Sequence, residues 1–165
     1  MPNPPSVAVA LKRSVASVEA ALQLSASLHW LAIETYTTQA EHFDRWGYSK
    51  LAEAARADAK EERGHLKAVL ARLEYYDVQP TCDHGHPSWP RHDYEGILDA
   101  NLALESAAAE AERGNILVAR DSGDELSALV FADLLAGSEQ SIKEIEATQR
   151  VIEQIGLDNY LANKV

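Results

Sequence analysis

The sequence predicts an all-α protein: a four-helix bundle with one long connection and a short fifth helix at its C-terminal end. Three observations carry this expectation. Apolar residues recur at helical spacing through four long segments, the punctuation between segments falls short, long, short, and no alternating strand pattern competes. The chain has 165 residues, 46% apolar and 25% charged, enough for one domain with a sizeable core.

Residues 1–13 open on Met-Pro-Asn-Pro-Pro and read as a flexible extension, with the bundle occupying 14–165. Ser14 is the expected start of the first helix, whose apolar positions are Val15, Val18, Leu22, Ala26, Ile33 and Tyr36 and whose end is near Trp46-Gly47. A second helix is expected from about Tyr48 to Tyr76, in a run dense in Ala, Glu, Lys, Arg and Leu, and Pro80 stops it. Residues 77–92 hold three of the six prolines, so they read as a crossover between parallel helices. Asp93 is placed to cap a third helix through Arg120. After the turn Asp121-Ser122-Gly123, a fourth helix runs to about Ile155, Gly156 closes it, and Asp158–Asn163 adds a short fifth. Helices of about 28 residues are about 42 Å long.

Composition narrows the function. A net charge of −11 argues against binding a nucleic-acid phosphate backbone and favours cations. Cys82 is the only cysteine, which excludes an intrachain disulfide and fits a reducing, cytoplasmic compartment. No leader pattern and no run of about 18 apolar residues is present, so no membrane partner is expected.

Glu62 and His65 carry the sharpest chemical signal. Three apart on a helix, they share one face and form a two-point metal grip. The same spacing on a charged helix also suits a solvated face. Glu105 follows Leu102-Ala103-Leu104, where a core-facing carboxylate would sit. Carboxylates from two helices plus Glu-x-x-His pairs from two others make a di-iron site inside such a bundle, so the chain offers part of that set.

The stretches Trp46-Gly47, Glu61-Glu62-Arg63-Gly64-His65, Leu102-Ala103-Leu104-Glu105 and Ile155-Gly156-Leu157-Asp158-Asn159-Tyr160-Leu161 resemble the bacterioferritin family, at one constant offset over about residues 12–165. The resemblance implies a ferritin-like bundle in a shell of 24 subunits that takes up Fe(II), oxidises it with oxygen at an intrasubunit centre, and stores the mineral. It assigns Glu62, His65 and Glu105 as metal ligands, places Tyr36 beside them as a hydrogen-bonding or redox partner in catalysis, and links Asp58 and Glu61 to iron capture. It also shows departures. His29 stands where the family has a Glu, and the family's second Glu-x-x-His falls on Ser138-Glu139-Gln140-Ser141. Four carboxylates balance two divalent ions, whereas Glu62 and Glu105 balance only one, so a mononuclear or weak site of His29, Glu62, His65 and Glu105 is expected, holding iron or, alternatively, zinc. Glu139 and Glu144 are candidates to lean in and repair it.

Arg63 occupies the position of the family's haem-ligating methionine, and Met1 is the only methionine, so haem is not expected. On the first helix Trp30 would fill the vacated haem pocket, with Glu34 pairing to Arg63, across a two-fold interface or as separate surface charges. The tract Cys82, His84, His86, His92 reads either as a metal-binding loop or as a polar surface loop. Two functions remain open: an iron-binding storage subunit with a degenerate ferroxidase centre, or a non-catalytic shell subunit that assembles with a second, competent bacterioferritin-like chain. A DNA-protecting cage is the third alternative, disfavoured by the charge.

Overall fold

The computed structural model describes residues 15–81, 84–90 and 92–165. The helices are α1 (Val18–Trp46), α2 (Ser49–Tyr75), α3 (Tyr94–Asp121), α4 (Glu125–Ile155) and the short α5 (Leu157–Ala162). The expected four long helices, crossover and fifth helix are therefore all present.

Local chemistry sets the helix ends. Ser17, not Ser14, caps α1: its hydroxyl accepts from the Ala20 N–H at 3.2 Å. Both serines are competent caps, and three residues of offset separate them; Ser14 and the 1–13 extension lie outside the described residues. Gly47 ends α1 with φ 85°, a left-handed conformation that glycine adopts without a Cβ penalty. Asp93 caps α3 by accepting from Gly96 N–H at 3.0 Å. Gly96 has a packing reason to lack a side chain, since a Cβ there would collide with the Pro90 ring.

Cross-helix pairs fix the directions. His29–Glu62 and Glu41–Arg56 run antiparallel between α1 and α2, and Arg113–Glu139 and Asp99–Gln149 do so between α3 and α4. Ser25–Glu112 and Tyr36–Glu105 make α1 antiparallel to α3 as well. Helices α2 and α3 then point the same way, which is why the 76–93 connection must traverse the length of the bundle.

Apolar clusters close both ends. Leu22, Val69, Leu73, Phe131 and Leu134 form one; Phe43, Leu51, Tyr94, Ile97 and Ile152 form the other, joined by Leu157, Tyr160 and Leu161 from α5 and its start. A small third cluster contains Leu31, Ala32, Tyr36, Ala59 and Leu104. Buried polar groups interrupt these apolar layers: His29, Glu62, Glu105, Glu112, Asn115 and Ser138 are all less than a tenth exposed. Among the described residues, no helix is long and apolar enough to cross a membrane.

Candidate metal centre

Burying several carboxylates in one bundle is costly unless each finds a proton, a donor or a cation. Their partners therefore define the site. His29 on α1 and Glu62 on α2 meet with Nδ1 2.6 Å from Oε2. His65, one turn further along α2, places Nδ1 3.6 Å from the other Glu62 oxygen, and the two imidazoles lie edge to face with centroids 5.4 Å apart. Burial pushes the Glu62 carboxyl up, but the hydrogen bond from His29 and the nearby His65 imidazole outweigh it and hold the group at about 2. The effect on His65 has the opposite sense: the adjoining Glu62 carboxylate raises the imidazole above its ordinary value against the pull of burial.

An ionised Glu62 only accepts, so His29 donates through Nδ1 and its Nε2 faces away from that carboxylate. That Nε2 has no hydrogen-bond partner although it is buried, and His65 Nδ1 is orphaned in the same way. His29, Glu62 and His65 can each offer a ligand atom with all three atoms within 4.8 Å of one another, and they are the one such group of three or more among the described residues. Two imidazoles and a carboxylate are a donor set that zinc and ferrous iron accept.

Glu105 stands beside this group and is engaged elsewhere. The Tyr36 hydroxyl donates to its Oε1, and Ser138 also hydrogen-bonds to it. Burial and the Glu62 charge raise the Glu105 carboxyl to about 7 despite those two bonds. Burial likewise pushes the Tyr36 phenol well above 10, with the Glu105 charge adding to it. Thus one of the two substituted serines is used as a hydrogen-bonding partner of Glu105. The other, Ser141, lies on the wall of a cavity of about 280 Å³ together with Tyr36, Asp58, Asn101 and Glu144. Burial, then Glu144, Glu61 and Glu62, lift the Asp58 carboxyl to about 6.

Other expected residues lie apart from the group. Glu139 accepts from Arg113 at 2.8 Å on the outer face of α3 and α4, and Glu144 accepts from Gln140 at 2.7 Å. Arg63 reaches Ala59 O and Thr37 Oγ1, while Glu34 is 4.0 Å from His84 Nε2. Within the subunit Glu34 and Arg63 thus border the same open depression without pairing to each other. Trp30 is half-buried against the first apolar cluster. In the crossover, His84 turns towards Glu34 and bonds Gly85 O, whereas His92 packs on Trp46 with centroids 5.6 Å apart, so these two do not converge. Cys82 lies outside the described residues.

Two contributors were not visible to sequence reasoning. A Cβ at Gly137 on α4 would meet His65 Cε1 at 2.8 Å, so the missing side chain makes room for the imidazole. The available signal was a glycine inside a long helix, where alanine is the better former by about 1 kcal/mol. Glu112 on α3 is fully buried, accepts from Ser25 Oγ at 2.6 Å and from Asn115 Nδ2 at 3.1 Å, and lies 3.8 Å from His29 Nε2. Its signal was the seven-residue step from Glu105, which returns to the same helix face.

A profile of the Ferritin-like domain matches residues 19–155. Among curated proteins, a bacterioferritin of Mycobacterium avium is 25% identical over 134 residues, covering 81% of this chain and 84% of its own length. A Brucella melitensis bacterioferritin is 25% identical over 129 residues, 78% and 80% of the two chains. A Streptomyces coelicolor bacterioferritin is 29% identical over 143 residues, 87% and 84% respectively.

Proposed function

Because the chain belongs to the ferritin-like domain family and has bacterioferritins among its relatives, we propose that it is an iron-storage subunit of a cage whose internal ferroxidase centre is degenerate. The observation that carries this reading is the convergence of His29, Glu62 and His65, with two buried imidazole nitrogens lacking partners. These three residues hold one divalent ion, Fe(II) as cargo or Zn(II) in its place, and Glu105 is the adjoining carboxyl with Tyr36 as its hydrogen-bond donor. The chain's residues thereby position a cation, supply negative charge and exclude water from the middle of the bundle.

Catalysis follows the ligand count. Two-electron reduction of oxygen by ferrous iron draws one electron from each of two ions, and the position of the second Glu-x-x-His holds Ser138 and Ser141. Oxidation at a single ion is therefore slow. Haem has no methionine to ligate it beyond Met1, and Arg63 gives the corresponding surface a positive charge that suits a Glu34 of an adjoining subunit.

The serines also favour a second reading: a non-catalytic shell subunit assembled with a ferroxidase-competent chain. Aerobic addition of Fe(II) to the purified protein, followed by size separation, tests the storage function. Iron far in excess of one per subunit, co-eluting with a large shell, is expected. Iron precipitating apart from the protein would refute storage by this chain alone, and recovery of loading with a copurifying second chain would establish the mixed shell.

A further inference from the structure

The cavity of about 280 Å³ at the α5 end of the bundle has a chemistry that the metal centre does not use. Its floor is buried and largely apolar: Phe43, Leu51, Tyr94, Ile97 and Leu98 are each less than a tenth exposed. The other polar groups of the floor are satisfied. Gln39 and Asn101 close a reciprocal amide pair at 2.7 and 3.0 Å, and the Tyr36 hydroxyl is committed to Glu105. An occupant reaching the floor therefore meets mostly carbon.

The mouth is different. Asp58 of α2 and Glu144 of α4 stand exposed on the cavity wall. Asp58 lies seven residues before His65 and Glu144 seven after Gly137, so the close approach of His65 to Gly137 brings the two carboxylates to one level of the antiparallel helices. Neither is neutralised. Among the described residues Asp58 has no hydrogen-bond donor and no cation against it, and Glu144 accepts from Gln140 of its own helix at 2.7 Å. The two lysines on the wall are engaged elsewhere: Lys50 Nζ donates to Asn163 O at 3.0 Å, and Lys164 Nζ lies 4.5 Å from the centre of the Tyr160 ring.

Two carboxylates facing each other without a counter-charge repel, and a cation between them removes that cost. Carboxylates at the rim with aromatic and aliphatic carbon below suit an amphipathic cation, its charged head outward and its apolar body inward. A divalent metal ion takes oxygen donors on all sides, which this floor does not offer. We propose that the cavity is a binding site for a compact primary amine, whose ammonium group sits between Asp58 and Glu144 and whose apolar body packs on Phe43, Tyr94 and Ile97. The volume is at the small end of ligand sites, which begin at about 300 Å³, so the amine is a small one. The site shares no residue with the His29, Glu62, His65 group and does not depend on an ion being bound there.

Calorimetric titration of the purified, assembled protein with benzylamine, and with benzyl alcohol as its uncharged counterpart, tests the proposal. One saturable event per subunit is expected, at least fivefold tighter for the amine than for the alcohol. Asp58→Asn should weaken the amine about fivefold, and Asp58→Asn combined with Glu144→Gln at least tenfold, with the alcohol changed less than twofold. Both positions are exposed, so the variants keep the fold, which circular dichroism checks. No saturable binding of benzylamine, or equal affinity in the unmodified protein and the double variant, would overturn the site. Displacement of benzylamine by an equal concentration of magnesium would overturn the ligand class, because the carboxylates would then prefer an inorganic cation.

Discussion

His29 Nδ1 lies 2.6 Å from Glu62 Oε2, which ties α1 to α2 in the interior of the bundle and turns the free nitrogen of the imidazole towards α3. An imidazole held this way is already oriented for a metal before any ion arrives, so little ordering is left to do on binding. Replacing Glu62 by Gln leaves the shape but removes the charge and can reverse the tautomer of His29. Zinc affinity should fall by tenfold or more in a chelator competition assay.

Gly137 gives a test that touches no ligand. Alanine there is expected to help the helix by about 1 kcal/mol but to push on the His65 ring, whose Cε1 would be 2.8 Å from the new methyl carbon. Gly137→Ala should therefore weaken metal binding about tenfold with a melting temperature at or above that of the parent. A drop in melting temperature together with unchanged affinity would show that the ring is not held against α4.

The Tyr36–Glu105 pair should behave as structure more than as ligand. Tyr36→Phe removes the hydroxyl from a buried carboxyl and leaves Ser138 as its remaining side-chain partner. A stability loss of about 1–2 kcal/mol is expected in denaturant titration, with metal affinity changed less than threefold.

Asp124 links the cap of α4 to α2 and sets an acid limit on the fold. It accepts from Arg72 Nη2 with both oxygens at 3.0 Å, from Tyr76 at 2.6 Å and from Ser127 N–H at 3.0 Å. Burial raises its carboxyl, but the Ser127, Tyr76 and Arg72 bonds outweigh that and hold it well below the usual carboxylate range. A depressed folded value means that the stabilisation is complete above the unfolded pKa of about 4 and is lost as the pH falls below it. Asp124→Ala should cost about 2 kcal/mol at neutral pH, and the gap from the parent should narrow in acid.

Much of this arrangement was legible in the sequence, for local reasons. Gly47, Asp93 and Gly156 act on their own neighbours, so the helix limits they set needed no tertiary information. The Ser14 start was displaced because two serines three residues apart offer equivalent caps and packing of Val18 selects Ser17. Glu62 and His65 were visible because i, i+3 is a property of one helix. The missed residues depend on three-dimensional context: Glu110 is exposed and Glu112 fully buried in the same Ala-Glu run, and only the position of α1 distinguishes them. Asn115 is a neighbour of Glu112 on the same helix, whereas Ser25 becomes its partner only after α1 and α3 pack.

On the proposed reading, this ferritin-like subunit binds one metal ion where a full centre would bind two. An anaerobic Fe(II) titration of the purified chain, followed by air, measures it directly. One tightly bound iron per subunit, oxidised little faster than iron in buffer, is the predicted result. Two irons per subunit with rapid oxidation would contradict it, because other side chains would then have rebuilt the second position.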